Sequence, residues 1–123
     1  MSSLDVLDPA ALERLETWGG SALVARMIDL FLDLGDDRLE QIHVGARDGE
    51  AEQVERAAHA LKSSAANLGA QRLKAAAAAL EAAAIARKHE DIARLSASLS
   101  DTYAEAVTQL KRARPALEEE SGS

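Results

Sequence analysis

The only prolines in this chain are Pro9 and Pro115, and between them apolar residues recur at three- and four-residue spacing. A long proline-free stretch with that period suits amphipathic helices and little else, because a half-buried strand would need strict alternation. Alanine, leucine, glutamate and arginine dominate, while aromatic residues make up 2% of the chain. That is the composition of a helical bundle. Asp8 before Pro9 is an N-cap with proline at the first helical position, which predicts a short helix over 9–17. Trp18 and Gly19-Gly20 end it, with the tryptophan expected in the core or as a lid over the bundle end. Ser21 caps a longer helix to about Ala46. Its residues Leu23, Val24, Met27, Ile28, Leu30, Phe31, Leu32 and Leu34 form an arc wider than one seam requires, so part should meet the first helix or stay exposed. Gly35 costs about 1 kcal/mol inside a helix, yet Leu39 and Ile42 carry the pattern onward. Asp48-Gly49 then turns the chain.

A third helix is predicted over 50–67, with Gly69 placed to be its left-handed C-terminal residue. A fourth over 71–88 uses Leu73, Ala77, Leu80 and Ala84 as its seam. The last, over 91–114, repeats Ile92, Leu95, Leu99, Tyr103, Ala106 and Leu110 until Pro115 stops it. Short connections between long amphipathic helices make neighbours antiparallel. The expected fold is therefore all-α, an antiparallel up-down four-helix bundle with a short additional N-terminal helix. Residues 1–117 are expected to form one domain, and 118–123 a disordered acidic tail.

Several functions are disfavoured at this stage. The chain has no cysteine, so disulfides and thiolate metal sites are unavailable. A net charge of −7 without a compensating basic stripe opposes binding to nucleic acid. No apolar run reaches the ~18 residues of a membrane span, and the N-terminus carries no leader pattern, so a soluble cytoplasmic protein is expected. His43, His59 and His89 lack ligand-like spacing, and no metal is expected. His43 is read as solvated and His89 as a turn residue. No nucleophile–base pair or glycine-rich phosphate loop is readable, which argues against a hydrolase.

The informative stretch is Ala58 to Ala70, AHALKSSAANLGA. At roughly 100° per residue, Val54, Ala58, Leu61, Ala65 and Leu68 share a stripe and His59 faces the other way. Around the histidine the outer face holds Ala60, Ser63 and Ala66, so everything toward Gly69 is small and a partner surface could approach closely. Lys62, three residues on, can reach what the imidazole carries. Reflection about Gly69-Ala70 puts His59 level with Leu80 and Glu81. If Glu81 holds Nδ1–H, Nε2 is the exposed nucleophile.

His59, Leu61, Lys62, Ser64, Leu68 and Gly69 match the pattern H-x-L-K-G-S-x-x-x-L-G. The chain from about Leu23 to Leu110 thus resembles the histidine-containing phosphotransfer (HPt) domains of bacterial phosphorelays. Ser63 stands where that family usually has glycine. The resemblance implies that His59 accepts a phosphoryl group, that Lys62 stabilises it and that Glu81 orients the imidazole. It further implies a docking face of Ala60, Ser63, Ser64, Ala66, Asn67 and Gly69. The partners it implies are response-regulator receiver domains and a hybrid histidine kinase, with Mg²⁺ and most of the catalysis on the receiver side. The chain itself would be a monomeric phosphocarrier without a cofactor of its own, not an enzyme. Two other readings are a phosphorylation-independent helical adaptor and a sensor-kinase dimerisation domain. The second conflicts with Ala60, since there the residue after the histidine is typically acidic.

Ser63 gives a direct test of the small-residue face. Serine recovers part of the roughly 1 kcal/mol that glycine costs inside a helix, while narrowing the approach to His59. Ser63→Gly is expected to lower the melting temperature modestly and to leave transfer equal or faster. Ser63→Leu is expected to keep the fold and block transfer. Melting curves and transfer rates from one phosphorylated receiver check both, and wild-type transfer by Ser63→Leu would remove the docking role.

Overall fold

A computed structural model describes residues 5–115. The expected acidic tail lies outside them. Four helices make up the described residues: α1 over Pro9–Asp48, α2 over Ala51–Leu68, α3 over Gln71–Ile85 and α4 over His89–Ala113. Each packs on its neighbours around a ring, α1 on α2, α2 on α3, α3 on α4 and α4 on α1. The all-α bundle is thus as the periodicity requires. Ile28, Ile42, Val54, Leu61, Leu68, Leu73, Leu80, Leu99 and Leu110 are sealed in its core.

The expected short N-terminal helix is present but is continuous with the next helix except at one residue. Gly20 has φ 72 and ψ −172, a conformation essentially reserved for glycine, and helical geometry resumes on both sides of it. Asp8 accepts a hydrogen bond from the Ala10 amide at 3.1 Å, and Pro9 occupies the first turn. Residues 9–19 therefore form a capped segment that changes direction at Gly20. Trp18 is not a core or lid residue. It stands 75% exposed, two residues before the break at Gly20.

Two further expectations are corrected at the α3–α4 end. α3 stops at Ile85, three residues early, since Arg87 takes a left-handed φ of 56 and the Lys88 amide returns to the Ala83 carbonyl at 3.0 Å. An arginine gives no sequence warning of a left-handed cap. α4 then begins at His89, which opens the helix instead of lying in the connection. His43 is half-buried and not simply solvated. Its Nε2 lies 3.0 Å from the Ser96 carbonyl and 3.1 Å from the Ser100 hydroxyl, so it links α1 to α4.

The same pair of helices explains Gly35. Phe31 and Tyr103 pack with ring centroids 5.9 Å apart, and the Tyr103 hydroxyl donates to Asp36 at 3.0 Å. The phenol passes directly over Gly35, where a Cβ would collide with the hydroxyl and ring. Farther along, Arg114 clasps both oxygens of Asp29 at 2.7 and 2.8 Å, fastening the end of α4 to α1. That hydrogen bonding holds the Asp29 carboxyl below its ordinary value.

Alanine is the better helix former by about 1 kcal/mol, but Gly35→Ala is expected to destabilise the protein by about 1–3 kcal/mol through overpacking against Tyr103. Chemical denaturation of the two forms checks this, and a stabilised variant would contradict it.

Candidate functional site

Residues on α2 that alternate around its axis separate the core from the site. Ala58, Leu61, Ala65 and Leu68 are buried, while the His59 side chain is 60% exposed. The two-residue connection Gly69-Ala70 turns the chain straight into α3, which brings Glu81 to the height of the histidine. His59 Nδ1 lies 2.8 Å from Glu81 Oε2. The other carboxylate oxygen, Oε1, accepts from Lys62 Nζ at 2.5 Å. Glu81 is largely covered and Lys62 partly so.

One carboxylate thus serves both groups. The hydrogen bond from Lys62 holds the Glu81 carboxyl below its ordinary value, against burial, and the hydrogen bond to His59 adds in the same direction. An ionised carboxylate can only accept, so Nδ1 of His59 carries the proton, and in the neutral imidazole Nε2 then holds the lone pair. The arrangement offers an exposed ring nitrogen with an ammonium close by.

Of the other residues singled out in the sequence, Ser63, Ala66 and Asn67 are exposed on the same side of α2, and Ala60 and Ser64 are half-buried. Gly69 does not share that surface. It is buried, its carbonyl accepts from the Asp8 amide at 2.8 Å, and a Cβ there would strike Ala11 Cβ and the Asp8 carbonyl. Its left-handed φ of 71 ends α2, and its missing side chain seats the N-terminal segment. Ser64 and Asn67 border a cleft of about 80 Å³ with Met27, Leu30 and Leu34. Leu30 and Leu34 are the exposed part of the wide apolar arc.

Sequence reasoning missed the Lys62–Glu81 pair, although both residues had been picked out separately. It also missed the ion pairs from Arg56 and Arg87 to Glu52, at 3.7 and 3.6 Å, below the histidine on α2. Among the described residues, no group of three or more His, Cys, Asp and Glu side chains could hold a metal ion, and no helix is long and apolar enough to cross a membrane.

The family model described as "Hpt domain" matches residues 26–119. Among solved structures, the chain is similar to that of histidine-containing phosphotransfer protein B (HptB) from Pseudomonas aeruginosa PAO1. The TM-score is 0.83 at 23% sequence identity, over 91% of this chain and 96% of that one. At that identity the likeness speaks for the fold. No curated protein matches the chain in sequence.

The lowered Glu81 value fixes a pH dependence. Its contribution to stability is fully present above the ordinary carboxyl value of 4.5 and is lost as pH falls through the depressed one. Glu81→Gln is therefore expected to be less stable than the wild type at neutral pH, with the gap closing on acidification below the ordinary carboxyl value of 4.5 and through the depressed one. Denaturation at several pH values checks it, and a gap that widens in acid would refute it.

Proposed function

The chain belongs to the Hpt domain family of phosphorelay phosphotransfer modules, and we propose that His59 is its phosphoacceptor, taking the phosphoryl group from a receiver-domain aspartate or a kinase and passing it to another receiver. The observation that carries this reading is the 2.8 Å contact between His59 Nδ1 and Glu81, made by a histidine whose side chain is 60% exposed among small neighbours.

In the proposed step the Nε2 lone pair attacks the phosphorus of an aspartyl phosphate. The N–P bond forms as the bond from phosphorus to the aspartate oxygen breaks, and the carboxylate leaves with that electron pair. Nδ1 keeps its proton throughout. Positive charge developing on the ring is met by the Glu81 carboxylate, so no proton has to leave in the transition state. Phosphoryl transfer of this kind depends on positioning and charge neutralisation, and Lys62 supplies an ammonium for the phosphoryl oxygens. The receiver supplies the Mg²⁺ and most of the catalysis, which makes this chain a phosphocarrier and not an enzyme.

The partner meets a face formed by Ala60, Ser63, Ser64, Ala66 and Asn67. Gly69 supports that face from beneath through Asp8 and Ala11. The protein works as a monomer on this reading, since a dimer covering His59 would block its own chemistry.

His59→Gln is expected to fold with a melting temperature close to wild type and to accept no phosphate from a phosphorylated receiver. Acid-labile, alkali-stable label on the wild type and none on the variant is the expected result. Label retained on the variant at His43 or His89 would overturn the assignment.

A further inference from the structure

The cations around His59 are not equivalent. At 3.6 residues per turn, Lys62 falls about 60° to one side of the histidine on α2 and Arg56 about 60° to the other. Lys62 meets Glu81, so its side is the one facing α3, and Nδ1 is turned the same way. Nε2, on the other edge of the ring, therefore faces the flank that carries Arg56. Side chains on a helix lean toward its N-terminus, which brings the imidazole back over the turn that holds Arg56.

The two cations also differ in how firmly they are held. Lys62 donates at 2.5 Å to a largely covered carboxylate, and moving it would leave that carboxylate with the imidazole alone. Arg56 is 73% exposed and lies 3.7 Å from Glu52, a contact of the kind that contributes little to stability. Glu52 has a second partner, because Arg87 reaches it from the end of α3 at 3.6 Å. Arg87 does so from a left-handed backbone that glycine would adopt more readily. Arg56 can therefore leave its carboxylate without stranding it.

We propose that Arg56 is a phosphoryl clamp that exchanges partners: it rests on Glu52 while His59 is free and moves to the phosphoryl oxygens once Nε2 carries them, leaving Glu52 to Arg87. The proposal rests on the phosphotransfer reading above. A covalently attached phosphoryl group brings about −1.5 to −2 charges near neutral pH, and Lys62, already balanced by Glu81, offsets only part of that. A guanidinium presents two parallel N–H donors to phosphate oxygens, and those charge-assisted bonds are stronger than a loose pair with an exposed carboxylate. The exchange stabilises the phosphorylated form of the chain over the free one, so Arg56 sets how far the relay equilibrium lies toward phosphohistidine.

The test measures the equilibrium distribution of phosphate between the full chain and a receiver domain that labels the wild type, because an equilibrium between free proteins is indifferent to how well they dock. Arg56→Gln is expected to melt as the wild type does and to lower the equilibrium constant toward phosphohistidine about tenfold. Arg56→Lys, which keeps the charge and loses the fork, should recover part of that loss. Glu52→Gln removes the competing carboxylate and should raise the constant about threefold, but leave it unchanged when Arg56→Gln is also present. With no receiver in the sample, the Arg56 Nε–H resonance should shift when phosphoramidate labels His59. An unchanged constant in Arg56→Gln, even with slower transfer, overturns the clamp while leaving the phosphotransfer reading intact. An equal gain from Glu52→Gln with and without Arg56 overturns it as well, by reducing the effect to the general field of one carboxylate. A wild type that neither a receiver nor phosphoramidate labels overturns the phosphotransfer reading, and the clamp with it.

Discussion

The two-residue connection at Gly69-Ala70 is the constraint on which the rest of this structure depends. Because Gly69 takes a left-handed conformation and α3 starts two residues later, α2 and α3 are held in one register. That register places Glu81 at the height of His59, 22 positions away in sequence. The same glycine, lacking a Cβ, lets Asp8 and Ala11 close over the end of the hairpin. A side chain there would disturb the cap of α2, the alignment of the site and the seating of the N-terminal segment together.

Around this hairpin the chain separates its charges by purpose. The chain carries a net charge of −7, while the site concentrates one ammonium and one imidazole on one largely covered carboxylate. Such a pair is worth more than a fully exposed ion pair, because it is partly shielded from water and geometrically defined. It does its structural work without closing off Nε2. The carboxylate therefore organises the site and leaves the His59 side chain 60% exposed, an arrangement suited to a macromolecular partner more than to a small substrate in a cleft.

Glycine and tyrosine show how packing overrides local preference in the same molecule. Gly35 looks like a defect when judged by helix propensity alone, yet it is where the Tyr103 phenol crosses α1 to reach Asp36. Arg87 gives the opposite case, an ordinary residue held in the left-handed region to close the α3–α4 turn. Each is intelligible only once the opposing helix or the turn geometry is known.

Helical period, the proline-free stretch and the turn residues were enough to establish the bundle, its four main helices and the outward placement of His59, because these follow from local spacing along one chain. The resemblance carried by His59, Leu61, Lys62, Ser64, Leu68 and Gly69 pointed to the family, and reflection about the Gly69-Ala70 turn was enough to single out Glu81. What that spacing could not decide was which groups meet across helices. Lys62 bonds Glu81, His43 reaches Ser96 and Ser100, Gly69 lies beneath Asp8 and Ala11, and Trp18 stands in solvent. Those outcomes depend on the distance and rotation between elements, which side-chain packing sets in three dimensions and which no periodicity within a single helix encodes.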